Sequence, residues 1–145
     1  MKDVIFKVKS NEKIAKNTFE MRLLGDTGDI FAGQFVNFKL DGFYLRRPIS
    51  VCCVEGEELT VIYKVVGDGT QKMSLMTGGE KIDTLTGLGN GYDLSKSGNA
   101  PLLIGGGAGV PPLYYLAKKL SENGIKPSVI LGFGSDHLRD IRHLQ

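Results

Sequence analysis

Hydrophobic and polar residues alternate with a period of two along most of the first ninety residues of the chain. Six segments bounded by turn residues show this pattern, namely residues 4–9, 18–23, 35–40, 49–54, 59–66 and 81–86. Such alternation is typical of strands with one buried face, and short, evenly spaced strands favour a small antiparallel barrel or sandwich. We therefore predict a six-stranded antiparallel barrel or sandwich over residues 1–97, with a hairpin around Gly56.

One helix is predicted inside this β block, over residues 70–76. Thr70 follows two glycines as an N-cap, and Met73 and Met76 are three residues apart. Gly67 and Gly69 would let backbone N–H groups approach a phosphate at the start of this helix. A plain tight turn with an N-cap explains the same residues, so both interpretations stay open.

The pattern changes class after residue 97. Residues 92–100 have the composition of a linker, and residues 101–104 form an apolar strand without alternation, as in a parallel sheet buried on both faces. A helix over residues 111–123 and a second apolar strand over residues 127–131 complete a βαβ unit. We assign this unit to residues 98–145. It is too small to bury a good core alone, so it packs on the barrel, pairs with another copy or is mobile.

Two glycine-rich segments are candidates for ligand contact. Gly105, Gly106, Gly107 and Gly109 lie between a strand and a helix, which is the context of a dinucleotide-binding turn. A proline replaces the third glycine of the standard motif, and no acidic residue follows the second strand to hold a ribose. The alternative is a glycine-rich connection without a ligand. Similarly, residues 87–92 either reverse the chain or bring Tyr92 near a bound ring.

A third candidate combines Arg47, Pro48, Ile49 and Ser50 at the start of a predicted strand. Proline lacks an N–H group and suits a strand entrance. A guanidinium suits a pyrophosphate, and a hydroxyl can hydrogen-bond a heteroaromatic ring. Because strand residues alternate between faces, we expect Arg47 and Ser50 to reach one ligand only if the chain turns at Pro48. An arginine beside a strand-edge proline is more often simply solvated.

Composition excludes several classes of function. The 18 basic and 16 acidic residues are scattered, so neither nucleic acid nor an anionic membrane is an expected partner. The uncharged run 97–117 contains five glycines and three prolines, which disfavours a membrane span. No signal peptide is indicated, and we expect a cytoplasmic protein.

The remaining reactive side chains do not form a catalytic or metal-binding set. The only cysteines, Cys52 and Cys53, are adjacent, which disfavours a disulfide between them, and we expect two small buried hydrophobes. His137 and His143 have no partner at metal-ligand spacing. No Ser-His-Asp, Cys-His or paired-carboxylate pattern is present, so hydrolysis is disfavoured and neither a catalytic residue nor a metal ligand is assigned.

In their order along the chain, these motifs resemble the ferredoxin–NADP reductase superfamily. Within it they are most similar to the electron-transfer subunits of dihydroorotate dehydrogenase B, over residues 45–50, 63–70, 87–92 and 103–112. The resemblance extends from residue 1 to about residue 135. It implies an FAD-binding barrel followed by a partial Rossmann-like domain that binds NAD(P).

The resemblance also implies roles for individual residues. Arg47 would hold the FAD phosphates and Ser50 would lie near the reactive edge of the isoalloxazine, with Pro48 and Ile49 between them. Tyr63, Lys64 and Val65 would line the flavin, and Gly69 and Thr70 would bind its pyrophosphate. Gly105, Gly106, Gly107 and Gly109 would face NAD(H). In this family the subunit takes electrons from a dihydroorotate dehydrogenase catalytic subunit through a [2Fe–2S] cluster and reduces NAD, in pyrimidine biosynthesis.

The chain departs from this family in its C-terminal part. The family's nucleotide domain is longer and carries a cysteine cluster for [2Fe–2S], which needs four thiolates, whereas this sequence has two cysteines. The tail after Ser135 no longer resembles the family, as expected of a frameshifted, truncated or cut chain. Alternatives are another flavin reductase or oxidoreductase subunit of the superfamily, for example from a hydrogenase or glutamate synthase complex, and a non-catalytic flavin-binding remnant. A Rossmann enzyme fragment is disfavoured by the period-two alternation of the first ninety residues.

Overall fold

The computed structural model describes residues 1–132 and contains a closed six-stranded barrel. All neighbouring strands are antiparallel, in the order β1-β2-β5-β4-β3-β6, which confirms the predicted antiparallel barrel. The strands are β1 Lys2–Ala15, β2 Thr18–Leu24, β3 Phe35–Lys39, β4 Arg47–Glu55, β5 Glu58–Lys64 and β6 Lys81–Leu88. β1 is longer than the sequence pattern predicts because its first half pairs with β6 and its second half with β2.

The barrel interior is filled by the apolar residues of the alternating pattern. Phe6 and Phe38 are fully buried at its centre, and each such side chain stabilises the fold by about 1.5–3 kcal/mol. Close packing around Phe6 explains Gly25, since a Cβ there would lie 2.7 Å from Cδ1 of the ring. The predicted hairpin joins β4 to β5 through Gly56, whose φ of 58° favours glycine.

The helix α1 spans Asp68–Ser74, between β5 and β6. Its N-cap is Gly67, so the prediction of Thr70 as N-cap is wrong. Thr70 is the third helical residue, and its hydroxyl accepts hydrogen bonds from the backbone N–H groups of Val66 and Gly67. A side chain at this position can reach back to the N-cap, which is why the helix begins before the threonine.

The C-terminal unit has the predicted βαβ form, with β7 (Leu102–Gly106) parallel to β8 (Ser128–Gly132) and α2 (Val110–Glu122) between them. Short 3₁₀ turns at Leu94–Lys96 and Gly107–Gly109 lead into β7 and α2. Leu113, Leu116 and Leu120 of α2 cover Leu103 of β7. The prediction of strands buried on both faces is wrong within residues 1–132, because one helix covers one face and leaves Leu102, Ile104 and Ile130 exposed.

The unit packs on the barrel through α2. Tyr115 belongs to the same buried cluster as the barrel core, and Tyr114 packs against that cluster. No helix in residues 1–132 combines the length and apolar character needed to cross a bilayer. The histidines His137 and His143 and the tail after Ser135 lie outside the described residues.

Candidate functional site: a groove between the barrel and the glycine turn

A groove of about 400 Å³ lies between β4, β5, the start of α1 and the start of α2. This volume is within the ordinary range of small-molecule and cofactor sites. Its lining is Thr18, Arg47, Pro48, Ile49, Ser50, Ile62, Tyr63, Lys64, Val66, Thr70, Gly107, Ala108, Val110 and Pro111. Eight of the predicted cofactor-binding residues therefore line the same groove: Arg47, Pro48, Ile49, Ser50, Tyr63, Lys64, Thr70 and Gly107.

The groove exists because β4 and β5 separate at one end. Their pairing runs from Glu55–Glu58 beside the hairpin to Val51–Val61. Beyond that point residues 47–50 pair with β3 and residues 62–64 pair with β2, but among residues 1–132 they do not pair with each other. Two strand edges, with their backbone N–H and C=O groups, thus border the groove.

This separation also corrects the expected turn at Pro48. β4 is continuous from Arg47 onward, and Arg47, Pro48, Ile49 and Ser50 all border the groove without a turn. The groove opens at the edge of the strand, so residues from both faces of β4 can reach it. Strand alternation alone could not reveal this arrangement, because it depends on where the neighbouring strand diverges.

Arg47 and Arg46 have different environments although they are adjacent. The guanidinium of Arg47 lies over the ring of Phe43, with Cζ 5.0 Å from its centroid, and Nη1 donates to the carbonyl of Leu45. Arg46 instead forms an ion pair with Asp83, with Nη1 3.1 Å from Oδ1, and donates to the carbonyl of Asn37. Arg46 therefore ties barrel strands together, whereas Arg47 borders the groove.

Tyr63 is held by a residue that the sequence analysis missed. Its hydroxyl donates to Oδ1 of Asn11 at 2.8 Å, and its ring stacks on Phe19. Asn11 Nδ2 donates to the carbonyls of Met73 and Met76, at 2.8 and 3.0 Å. Asn11 thus connects β1 and β5 to the end of α1. An asparagine in an alternating strand carries no local indication of such long-range contacts.

The start of α1 packs closely on β4. Gly69 is buried, and a Cβ at this position would lie 2.1 Å from Nε of Arg47. Thr70 borders the groove, but its hydroxyl also donates to the carbonyl of Gly67, so it takes part in the turn. The turn interpretation and a contact with a ligand are therefore compatible at this position.

The four glycines of the second motif have different surroundings. Gly107, with a φ of 53°, lines the groove. A Cβ on Gly105 would lie 2.4 Å from Leu113 Cδ1, and one on Gly106 would lie 3.4 Å from the carbonyl oxygen of Gly132, whereas Gly109 has open space around it. Gly105 therefore permits close packing of β7 on α2, and Gly107 permits the turn that precedes the helix.

Two further candidates lie away from this lining. Val65 packs against the barrel core, and its N–H donates to the carbonyl of Asn17 at 2.7 Å. Tyr92 packs over Gly33, where a Cβ would lie 2.9 Å from the tyrosine ring, and its N–H donates to the carbonyl of Ala32. The structure thus favours the chain-reversal interpretation of residues 87–92.

Cys52 and Cys53 are buried and unbridged, as expected. Burial raises the pKa of both thiols, although the nearby Lys118 partly opposes this at Cys53. Among residues 1–132, no group of three or more His, Cys, Asp and Glu side chains is arranged to hold a metal ion.

Comparison with known proteins finds similar sequences, although no protein-family model matches the chain. A protein of Bacillus pumilus is 46% identical over 144 residues, and one of Fusobacterium nucleatum is 47% identical over 138 residues. The alignments cover 93% and 88% of this chain, and both relatives are named dihydroorotate dehydrogenase B (NAD(+)), electron transfer subunit. Over these spans the chain is similar to the electron transfer subunits of dihydroorotate dehydrogenase B. It spans about half the length of these dihydroorotate dehydrogenase B subunits, 56% and 53% respectively.

Solved structures confirm the ferredoxin–NADP reductase-like fold expected of this family. The NADH-dependent reduced ferredoxin–NADP oxidoreductase, an enzyme of flavin-based electron bifurcation, superposes with a TM-score of 0.80 at 30% identity, covering 88% of this chain and 48% of that one. A cytochrome P450 reductase from Amycolatopsis superposes with a TM-score of 0.84 at 22% identity, covering 98% of this chain and 46% of that one. The second likeness shows the fold alone.

Proposed function

We propose that this chain binds FAD in the groove and, in the cytoplasm, passes electrons between NAD and the catalytic subunit of a dihydroorotate dehydrogenase. Residues 1–97 would form the flavin-binding unit and residues 98–145 part of the nucleotide-binding unit. The supporting observation is the convergence of Arg47, the open edges of β4 and β5 and the glycine turn before α2 on one groove.

The lining of the groove offers the apolar and polar groups that a flavin needs. Ile49, Ile62, Val66, Val110 and Pro111 supply apolar surface for a planar ring system. The open strand edges offer backbone donors and acceptors, and Ser50 and Lys64 offer a hydroxyl and an ammonium group, for the polar edge of such a ring. This division into apolar walls and a few polar groups is common in cofactor sites.

The phosphates would be held beside α1. Arg47 has five N–H donors, of which one binds the Leu45 carbonyl, and a guanidinium pairs well with phosphate oxygens. Gly69 and Thr70 adjoin it, and Gly69 leaves the space in which the Arg47 side chain lies. We propose these three residues as the pyrophosphate contacts. Tyr63 and Val65 would support the flavin wall from the core.

The nicotinamide nucleotide would approach from the glycine turn. Gly107 lies at the groove, and Gly105, Gly106 and Gly109 shape the connection between β7 and α2. When bound, FAD would supply the chemistry, because it can exchange electrons both in pairs and singly. The contribution of this chain is to orient the ring, exclude water from its apolar faces and hold its charged groups.

An iron–sulfur cluster does not fit the cysteines of this chain. A [2Fe–2S] centre needs four thiolates, and the sequence has two, which are buried side by side in β4. We therefore assign no electron-transfer step to a cluster built from these residues. The proposed redox partner is the flavin of a dihydroorotate dehydrogenase catalytic subunit.

Titration with FAD tests cofactor binding directly. We expect the purified protein to give a flavin absorption spectrum and to melt at a higher temperature with FAD. An Arg47→Met variant should bind FAD about 10- to 100-fold more weakly, because hydrogen bonds to charged groups contribute about 1.5–3 kcal/mol. The matched variant Arg46→Met should lower stability and change FAD affinity less, since Arg46 binds Asp83 and Asn37. The proposal would be refuted if the purified protein is colourless and its melting temperature does not change when FAD is added.

Two further measurements separate this function from its rivals. Bleaching of bound flavin by NADH would exclude a non-catalytic flavin-binding remnant. Co-purification with a dihydroorotate-oxidising subunit, with the mass of the complex measured in solution, would distinguish the proposed partner from those of other reductases and from a second copy of this chain. Flavin reduction without such co-purification would favour another superfamily member.

A further inference from the structure

One face of α2 connects the groove to the far end of β4. Pro111, Tyr114, Tyr115 and Lys118 follow the i, i+3, i+4, i+7 spacing that places residues on one side of a helix. Pro111 borders the groove, Tyr115 is buried in the barrel cluster, and Tyr114 packs against it. The opposite face of α2 is occupied by its leucines and β7. The position of α2 on the barrel therefore determines where Pro111 and the preceding glycine turn lie beside the groove.

Lys118 forms the polar contact at the end of this face. Its Nζ lies 2.5 Å from Oε1 of Glu55 and 3.6 Å from Sγ of Cys53, both on β4. The side chain is 26% exposed, so its stem is largely covered. The next residue, Lys119, forms an ion pair of 3.3 Å with Glu122 on its own helix. Of these two adjacent lysines, Lys118 links α2 to the barrel.

β4 carries both ends of this connection. Its first four residues border the groove, and its last three, Cys53, Val54 and Glu55, lie beyond a register shift between Val51 and Cys53. This bulge places Cys52 and Cys53 in succession in buried positions, and Cys53 comes to lie beside Lys118. β4 thus borders the groove at one end and contacts α2 through Lys118 at the other.

We propose that Lys118 is a positioning residue for the cofactor groove. By linking α2 to Glu55 and Cys53, it fixes the turn at residues 107–111 above Arg47 and Ser50. The effect of Lys118 on FAD binding rests on the proposed function, whereas its effect on the position of the turn does not. Tyr114 and Tyr115 attach α2 to the barrel core, and the Lys118 contact adds a second attachment, to the end of β4.

Hydrogen exchange of the full-length, FAD-free protein tests the structural part. In Lys118→Met, we expect the amides of residues 107–110 to exchange faster than in the wild type, while those of β1 and β2 are unchanged. The matched variant Lys119→Met removes an amine, an ion pair with Glu122 and a contact with the Tyr115 ring, all within α2, and should leave residues 107–110 at the wild-type rate. Equal exchange in the wild type and both variants would overturn the proposal, as would equal acceleration in both variants.

FAD affinity tests the consequence for the site. Lys118→Met should weaken FAD binding by about two- to fivefold, as expected for a partly exposed ion pair. Lys118→Glu and Glu55→Lys should each weaken it further, and the double variant should recover affinity because the pair is restored with reversed charges. Additive losses in the double variant would overturn the role of this pair. If the wild type binds no FAD, the proposed function fails, and the exchange experiment still decides the role of Lys118.

Discussion

The side chain of Arg47 lies directly across the backbone of Gly69. A Cβ on Gly69 would be 2.1 Å from Nε, 2.8 Å from Cζ and 3.0 Å from Cδ of the arginine. The distal part of the Arg47 side chain would therefore have to move to make room for a methyl group on Gly69. Glycine at this position therefore lets the guanidinium pass over the first turn of α1.

Gly69→Ala should displace Arg47 and weaken FAD binding. Alanine favours a helix over glycine by up to about 1 kcal/mol, so we expect the free energy of unfolding to change little while FAD affinity falls about tenfold or more. Gly67→Ala is the matched control, because Gly67 has open space and an extended φ of −165°. Isothermal titration of both variants checks this, and equal FAD affinities would contradict it.

Asn11→Ala should destabilise the protein although Asn11 does not line the groove. The substitution leaves the Tyr63 hydroxyl and the carbonyls of Met73 and Met76 without this partner. Each buried polar group left unsatisfied costs about 1–3 kcal/mol, so we expect a loss of about 2 kcal/mol or more. Urea unfolding measures the change, and a loss below about 0.5 kcal/mol, typical of a surface substitution, would show that water replaces these contacts.

Tyr63 should give the protein a pH dependence above pH 10. Burial raises the pKa of Tyr63 to about 12 from the ordinary value of 10.0. Both states carry a neutral phenol below pH 10, and between pH 10 and 12 only the unfolded state ionises. The free energy of unfolding should therefore fall as pH rises through this window, by at most about 1.4 kcal/mol per pH unit from this group.

Comparison with Tyr63→Phe isolates this contribution. Tyr114 and Tyr115 also have pKa values raised by burial, and their effect is common to both proteins. The difference in unfolding free energy between wild type and variant should be constant below pH 10 and should change above it. A difference that stays constant up to pH 12 would contradict the buried-phenol interpretation.

Some of this molecule follows from local sequence and some does not. The period-two pattern predicts all six barrel strands, and Gly56 predicts the hairpin, because alternation and turn conformation are local properties. The separation of β4 from β5 at Val51 and the contacts of Asn11 are absent from that prediction. They depend on residues distant in sequence that only the closed barrel brings together.

The errors have similar causes. Thr70 matches an N-cap by composition, but a hydroxyl at the third helical position can satisfy the same backbone groups from within the helix. The apolar strand at residues 102–106 resembles one buried on both faces, yet apolar content alone does not show how many layers cover it. The resemblance implies that Arg47 and Gly69 both bind phosphate, but no local pattern indicates their contact with each other.

The two cysteines should be unreactive in the folded protein. Both thiols are buried, their pKa values are raised by burial, and the thiolate is the reactive form. With a chromogenic disulfide reagent at neutral pH, we expect negligible labelling of the native protein and two thiols per chain in denaturant. Fast labelling of one thiol in the native state would show that α2 separates from β4 in solution.

Adjacent residues of β7 should respond oppositely to substitution. Leu103 is 8% exposed and Ile104 is 67% exposed. Leu103→Ala should cost about 2–3 kcal/mol by leaving a cavity under α2, whereas Ile104→Thr should change stability by less than about 0.5 kcal/mol. Urea unfolding followed by circular dichroism compares the two. A large loss for Ile104→Thr would mean that its face of the sheet is covered in solution.

Because β4 borders the groove and also contacts α2, it tolerates few insertions or deletions. Ser50 borders the groove and Cys53 meets α2, and a single residue inserted or deleted between them would turn the rest of the strand over. Such a change would expose the core residues beyond it and carry Glu55 away from Lys118. Residues 98–100, which are exposed and lie before β7, have no such dependence. Natural length variation should therefore accumulate in that connection, while β4 keeps a fixed number of residues.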